Sequence, residues 1–136
     1  MNEIRLVCAE NRRSGGIFLM NLSPGTKLKI STQNSIYDIV LKCGILVDIR
    51  GGTKNNGTER YPEFKPAVLY CSASNGATKQ AGWIGFGTKM EIIEVMTGLV
   101  VQTSPVSALK VTAPDDSWTY DLECPIQDAN WKVEGF

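Results

Sequence analysis

Apolar and polar residues alternate with a period of two along much of this chain, the pattern of half-buried β-strands. After residue 26, Leu28 and Ile30 fall on one side while Lys27, Lys29 and Ser31 fall on the other. Tyr37, Ile39 and Leu41 then share a face opposite Ile36, Asp38, Val40 and Lys42. Ile45, Val47 and Ile49 share a third face, with Asp48 and Arg50 opposite. Ser23-Pro24-Gly25 suits a type II turn, Asn34 tolerates the positive φ of the next one, and Cys43-Gly44 makes the last. Residues 22–49 therefore predict a β-meander whose register the alternation pins.

Further strands are expected at residues 4–8, 67–73, 88–93, 99–103, 106–112 and 117–124, with a short apolar run at 17–20. Ser104-Pro105 is read as a break between two strands. Turn signals stand at Ser74-Asn75-Gly76, Met96-Thr97-Gly98 and 113–116. Residues 51–66 read as one long irregular loop, flexible in its first half and tacked back by Tyr61 and Phe64. Loops of that length are usually functional or disordered. No window carries a helical period, and the tail after Pro125 fits either one helical turn or irregular chain. About eight to ten strands at this spacing predict a single all-β domain over residues 1–136, an antiparallel barrel or sandwich of short strands with meander connections.

Composition narrows the function classes. The chain holds 14 Lys and Arg against 14 Asp and Glu, for a net charge of zero, and it has no histidine. A balanced charge argues against nucleic acid and against an anionic membrane surface. It also opposes self-association only weakly, so a homo-oligomer is expected. Without histidine, a Ser-His or Cys-His nucleophile is impossible within one chain. Cys8, Cys43, Cys71 and Cys124 form no C-x-x-C pair. Three disulfide pairings are open to them, but a reducing compartment argues against each, and they read as small buried hydrophobes. No metal and no cofactor is expected. The first residues lack a signal-peptide core and nothing approaches a membrane span, so a cytoplasmic protein is expected.

Candidate chemistry is sparse. Gly82-Trp83-Ile84-Gly85-Phe86-Gly87 has the wrong glycine order and no following helix for a dinucleotide loop, and it reads as a bulge or sharp corner. Asp38, Asp48, Glu63, Glu91 and Asp121 lie on or beside strands, where a pair of them would serve a hydrolase or isomerase. Lys27, Lys29, Arg50 and Lys54 with Tyr61 and Phe64 form a thin basic-aromatic patch of the kind that holds single-stranded nucleic acid. The favoured site groups Trp83, Phe86, Arg50 and Tyr61. Gly51-Gly52 and the glycines around Trp83 remove side chains at strand ends, leaving room for another molecule, and Arg50 offers bidentate recognition of an anion. The bland alternative makes Trp83 and Phe86 core residues and pairs Arg50 with Asp48 or Glu91.

Leu22-Ser23-Pro24-Gly25, residues 32–39 (Thr-Gln-Asn-Ser-Ile-Tyr-Asp-Ile), Arg50-Gly51-Gly52, residues 82–87 and Thr103-Ser104-Pro105-Val106 together resemble a family of small bacterial all-β proteins of unknown function. The resemblance implies a β-fold and nothing more; an origin in an environmental or mobile gene cassette is a separate expectation about source alone. The leading expectation is a non-enzymatic binding or interaction module with a small-molecule or protein partner. The alternatives are a carboxylate-based hydrolase or isomerase and a single-stranded nucleic-acid binder.

Overall fold

Ten strands and one 3-10 turn make up the described part of a computed structural model, which covers residues 15–72 and 79–123. In chain order they are β1 (Gly16–Phe18), the 3-10 turn (Leu19–Asn21), β2 (Lys27–Thr32), β3 (Ile36–Cys43), β4 (Leu46–Thr53) and β5 (Glu59–Ser72). There follow β6 (Lys79–Ala81), β7 (Trp83–Gly85), β8 (Lys89–Glu94), β9 (Val100–Thr112) and β10 (Thr119–Glu123). The predicted strand at 4–8, the turn at Ser74–Gly76 and the tail after Pro125 lie outside the described residues, as do Cys8 and Cys124. Among the described residues no helix is long and apolar enough to cross a membrane.

The expected meander is present. β2 pairs β3, β3 pairs β4 and β4 pairs β5, all antiparallel. β5 then pairs β8, β8 pairs β9, and β9 returns to β2. The ladder thus closes on itself as a ring of six strands, which removes most sheet edges. β10 and β6 add short outer strands beside β9 and β5. The alternation read from the sequence decides what fills the ring. Leu28, Ile30, Tyr37, Ile39, Leu41, Val47 and Ile49 all point inward and are buried with Leu69, Met90, Ile92, Leu109 and Val111.

A two-stranded ribbon, β1 with β7, packs against one end of this core. It places Ile17, Ile84 and Phe86 in the core cluster. Backbone bonds fasten it: Phe86 N–H donates to Gly15 at 2.7 Å, and Gly87 N–H to Val106 at 2.8 Å. Gly82 and Gly87 take positive φ of 79° and 78° on either side of β7, so the glycine motif makes sharp corners.

Three expectations need correction. The stretch 51–66 is not one loop. β4 runs on to Thr53 and β5 starts at Glu59, leaving residues 54–58 as the turn, closed by Lys54 N–H to Thr58 at 2.8 Å. Pro62 and Pro66 suggest a break because they lack an N–H. The chain absorbs Pro62 in a bulge: Ile49 pairs Lys65 and Gly51 pairs Tyr61, so residues 62–64 stand opposite Arg50 alone, while Pro66 pairs Asp48 just beyond it. Nor does Ser104-Pro105 end a strand. β9 continues through it and changes partner there, from β8 before to β2 after. Finally, Cys43 at the end of β3 is exposed, whereas Cys71 is buried.

Candidate functional site

The open spaces expected beside the glycines are filled by the chain itself. A Cβ on Gly52 would strike the Tyr37 ring, and one on Gly51 would lie 2.6 Å from the Ile36 carbonyl oxygen. A Cβ on Gly85 would lie 2.5 Å from Trp83 Nε1. These glycines admit close internal packing.

The four favoured residues fall in three places. Trp83 in the ribbon and Phe86 just after it are buried; the Trp83 ring packs at a tilt of 51° against Phe18 with centroids 4.6 Å apart. Arg50 lies on the outer face of the barrel. It stands opposite Asp38 in the ladder and donates to its Oδ2 at 3.4 Å, and its guanidinium lies 4.4 Å over the Phe64 ring in a cation–π contact. Tyr61 is buried at the opposite side of the ladder, near the β8–β9 turn.

Arg50 and Phe64 do share a cleft of about 300 Å³ with Lys27, Lys29 and Lys110. Much of the basic-aromatic patch read from the sequence is therefore assembled. Its charge is largely answered in place: Lys27 pairs Asp116 at 2.9 Å, and Asp38 sits between Lys29 at 3.8 Å and Arg50 at 3.4 Å. The acidic candidates Asp38 and Asp48 are accordingly tied to cations, Asp48 to Lys42 at 3.3 Å.

A larger groove of about 510 Å³ lies where β5 runs past the end of β8. Lys54, Arg60, Tyr61, Lys65 and Pro66 line one side, and Glu94, Met96, Thr97 and Leu99 the other. Two features set its chemistry. Both oxygens of Glu94 are taken by hydroxyls: Tyr61 donates to Oε2 and Thr97 to Oε1, each at 2.7 Å. These bonds hold the Glu94 carboxyl below its ordinary range, while burial and that same carboxylate push the Tyr61 phenol far up. The second feature is Arg60, whose Nε is buried with no hydrogen-bond partner. Among the described residues no carboxylate lies within 4.0 Å of Arg60, Lys54 or Lys65. An unsatisfied buried donor is costly, so something is expected to meet it. Beneath the groove, burial raises the Tyr37 phenol against the pull of Ser35 and Arg60.

Compared with family models, with curated proteins and with solved structures, the chain matches none. The groove must speak for itself. Of its groups the sequence pointed to Tyr61 and Lys54 and missed Arg60, Glu94, Met96 and Leu99. A signal existed for the last two. Large apolar residues flank Thr97-Gly98 in a turn, where polar residues are the rule. Nothing local marks Arg60 and Glu94, which are 34 positions apart and meet only because β8 joins β5 on the side away from β4.

The other reactive group singled out by its environment is Cys71. It lies beneath the ribbon, 2.6 Å from Thr88 Oγ1, and receives the Gly85 N–H at 3.4 Å. Burial pushes its thiol up, which keeps it protonated and unreactive.

Proposed function

We propose that this protein is a non-catalytic binding module whose groove between β5 and the β8–β9 turn takes a small amphipathic anion. The observation that carries this reading is Arg60: its Nε is out of water, unpartnered, and set in an apolar-walled groove. A carboxylate, phosphate or sulfate head would satisfy Arg60 with a charge-assisted bond. Lys54 and Lys65 add positive field, and Met96, Leu99 and Pro66 would cover an apolar body. Glu94 is held by two hydroxyls and makes no ion pair within 4.0 Å with these cations, which act on its charge only at longer range. A carboxylate-based hydrolase or isomerase would need a second acid, and among the described residues Glu94 is the single carboxylate lining the groove.

Calorimetric titration with decanoate and hexyl phosphate tests the reading, with decanol as the neutral control. Saturable binding of the anions, absent for decanol, is expected. Arg60→Met should weaken it by about tenfold or more, the loss of one charged hydrogen bond. Lys65→Met, at an exposed position, should weaken it less and guards against a folding defect in the first variant. Equal binding of decanol, or unchanged affinity in Arg60→Met, would overturn the proposal.

A further inference from the structure

The far wall of the groove also carries the largest run of exposed apolar side chains among the described residues. Val95 is 50%, Met96 77%, Leu99 61% and Val100 57% exposed, all on one hairpin tip. The tip is held rigidly in this posture. Glu94 N–H donates to Leu99 at 2.8 Å and Gly98 N–H to Glu94 at 2.7 Å, while Thr97 ties back to the Glu94 carboxylate. Gly98 takes φ 75°, and a Cβ there would meet nothing within 4 Å, so the turn projects into open space. Four aliphatic side chains are thus presented to solvent by a turn whose Glu94 and Thr97 side chains are bonded to each other. Contiguous surface of this kind marks a partner or a lipid surface.

We infer that this hairpin tip docks on an anionic lipid bilayer, its aliphatic side chains entering the headgroup boundary and the cations of the groove lying at headgroup level. The inference rests on the proposed amphiphile site and names the source of its ligand, a membrane lipid. Charge complementarity favours it. Lys54, Arg60 and Lys65 stand beside the tip against the one carboxylate of Glu94 among the described lining residues, with no ion pair within 4.0 Å, so the groove keeps an excess of positive charge. A second copy is a poor occupant, since a two-fold contact at the tip would bring these cations against their own like charges. An anionic surface attracts them, and their stems can lie along apolar surface while the heads reach phosphate. The zero net charge of the whole chain, which argues against such a surface, conceals this local excess. One short tip with a few cations implies weak, reversible, salt-sensitive attachment.

The test is co-sedimentation of the full chain with phosphatidylcholine vesicles, with and without phosphatidylglycerol, at low and high salt. Binding is expected with phosphatidylglycerol and should fall as salt rises. The double substitution Val95→Asn and Val100→Asn changes two tip residues that do not line the groove and adds no charge beside it. It should reduce vesicle partitioning by about tenfold or more by removing apolar surface from the inserting tip, while decanoate titration stays as in the unsubstituted protein. Three results would overturn the inference: no vesicle binding by the unsubstituted protein, unchanged vesicle binding in the double variant, or a dimer in sedimentation that the double variant dissolves. Decanoate binding without vesicle binding refutes only the bilayer inference; vesicle binding without decanoate or hexyl phosphate binding refutes only the small-amphiphile site.

Discussion

Gly52→Ala is expected to cost about 2–5 kcal/mol of stability, and the cost divides into two separable parts. Gly52 has φ 77°, in the left-handed region, where a Cβ costs about 1–2 kcal/mol. The added methyl would also strike the Tyr37 ring, which is buried and locked by its neighbours. Overpacking of that kind adds about 1–3 kcal/mol. A double-mutant cycle with Tyr37→Val separates the parts, because valine withdraws the ring atoms that the methyl meets. In that background Gly52→Ala should cost only the backbone share, about 1–2 kcal/mol, giving a coupling of about 1–3 kcal/mol. Urea titration followed by tryptophan fluorescence measures all four proteins, with a common m-value as the check on two-state behaviour. A Gly52→Ala cost below about 0.5 kcal/mol, or equal costs in the two backgrounds, would refute the reasoning that Gly52 exists to admit Tyr37.

Phe86→Ala, truncating a buried ring, should lower stability by about 3–5 kcal/mol, whereas Arg50→Ala on the outer face should cost no more than about 1 kcal/mol; chemical denaturation of both decides. Glu94 is held below its ordinary range by the Tyr61 hydroxyl, so it binds fewer protons folded than unfolded. Its stabilising contribution is therefore present above the ordinary glutamate value and lost as pH falls through the lowered one, and Tyr61→Phe should flatten that acid limb and raise the Glu94 titration seen by NMR. At the alkaline end the raised Tyr61 and Tyr37 phenols stay protonated in the fold, so stability should fall as pH climbs above the ordinary tyrosine value of about 10. Thermal midpoints across pH check both limbs.

The parts of the fold legible in the sequence are those governed by local alternation. Leu28, Ile30, Tyr37, Ile39 and Leu41 reveal their inward face because the strands they occupy meet core on one side and water on the other. Pro105 misleads because proline removes a donor, which reads as the end of a strand; here it sits at a change of partner, and Pro62 likewise falls in a bulge, where a missing N–H costs little. Trp83 and Phe86 suggest a site because an aromatic beside glycine looks open; in three dimensions the glycine is there so that the aromatic can close. The groove is the least legible part. Arg60 and Glu94 gain their character from burial and from which hydroxyl reaches which oxygen, and neither property has a sequence period.

The pairing that closes the ring sets an order on how the chain can fold. Ser107 on β9 donates to the carbonyl of Ser31 on β2, residues 76 apart in sequence. The meander from β2 to β5 is complete long before β9 leaves the ribosome, and until then it has two bare edges. Closing so long a loop is entropically slow and comes after the local hairpins. During that interval the nascent chain is a curled sheet able to recruit any other extended strand. Substitutions that weaken the β9–β2 seam should therefore lower the yield of soluble protein more than they lower the stability of the molecules that do fold.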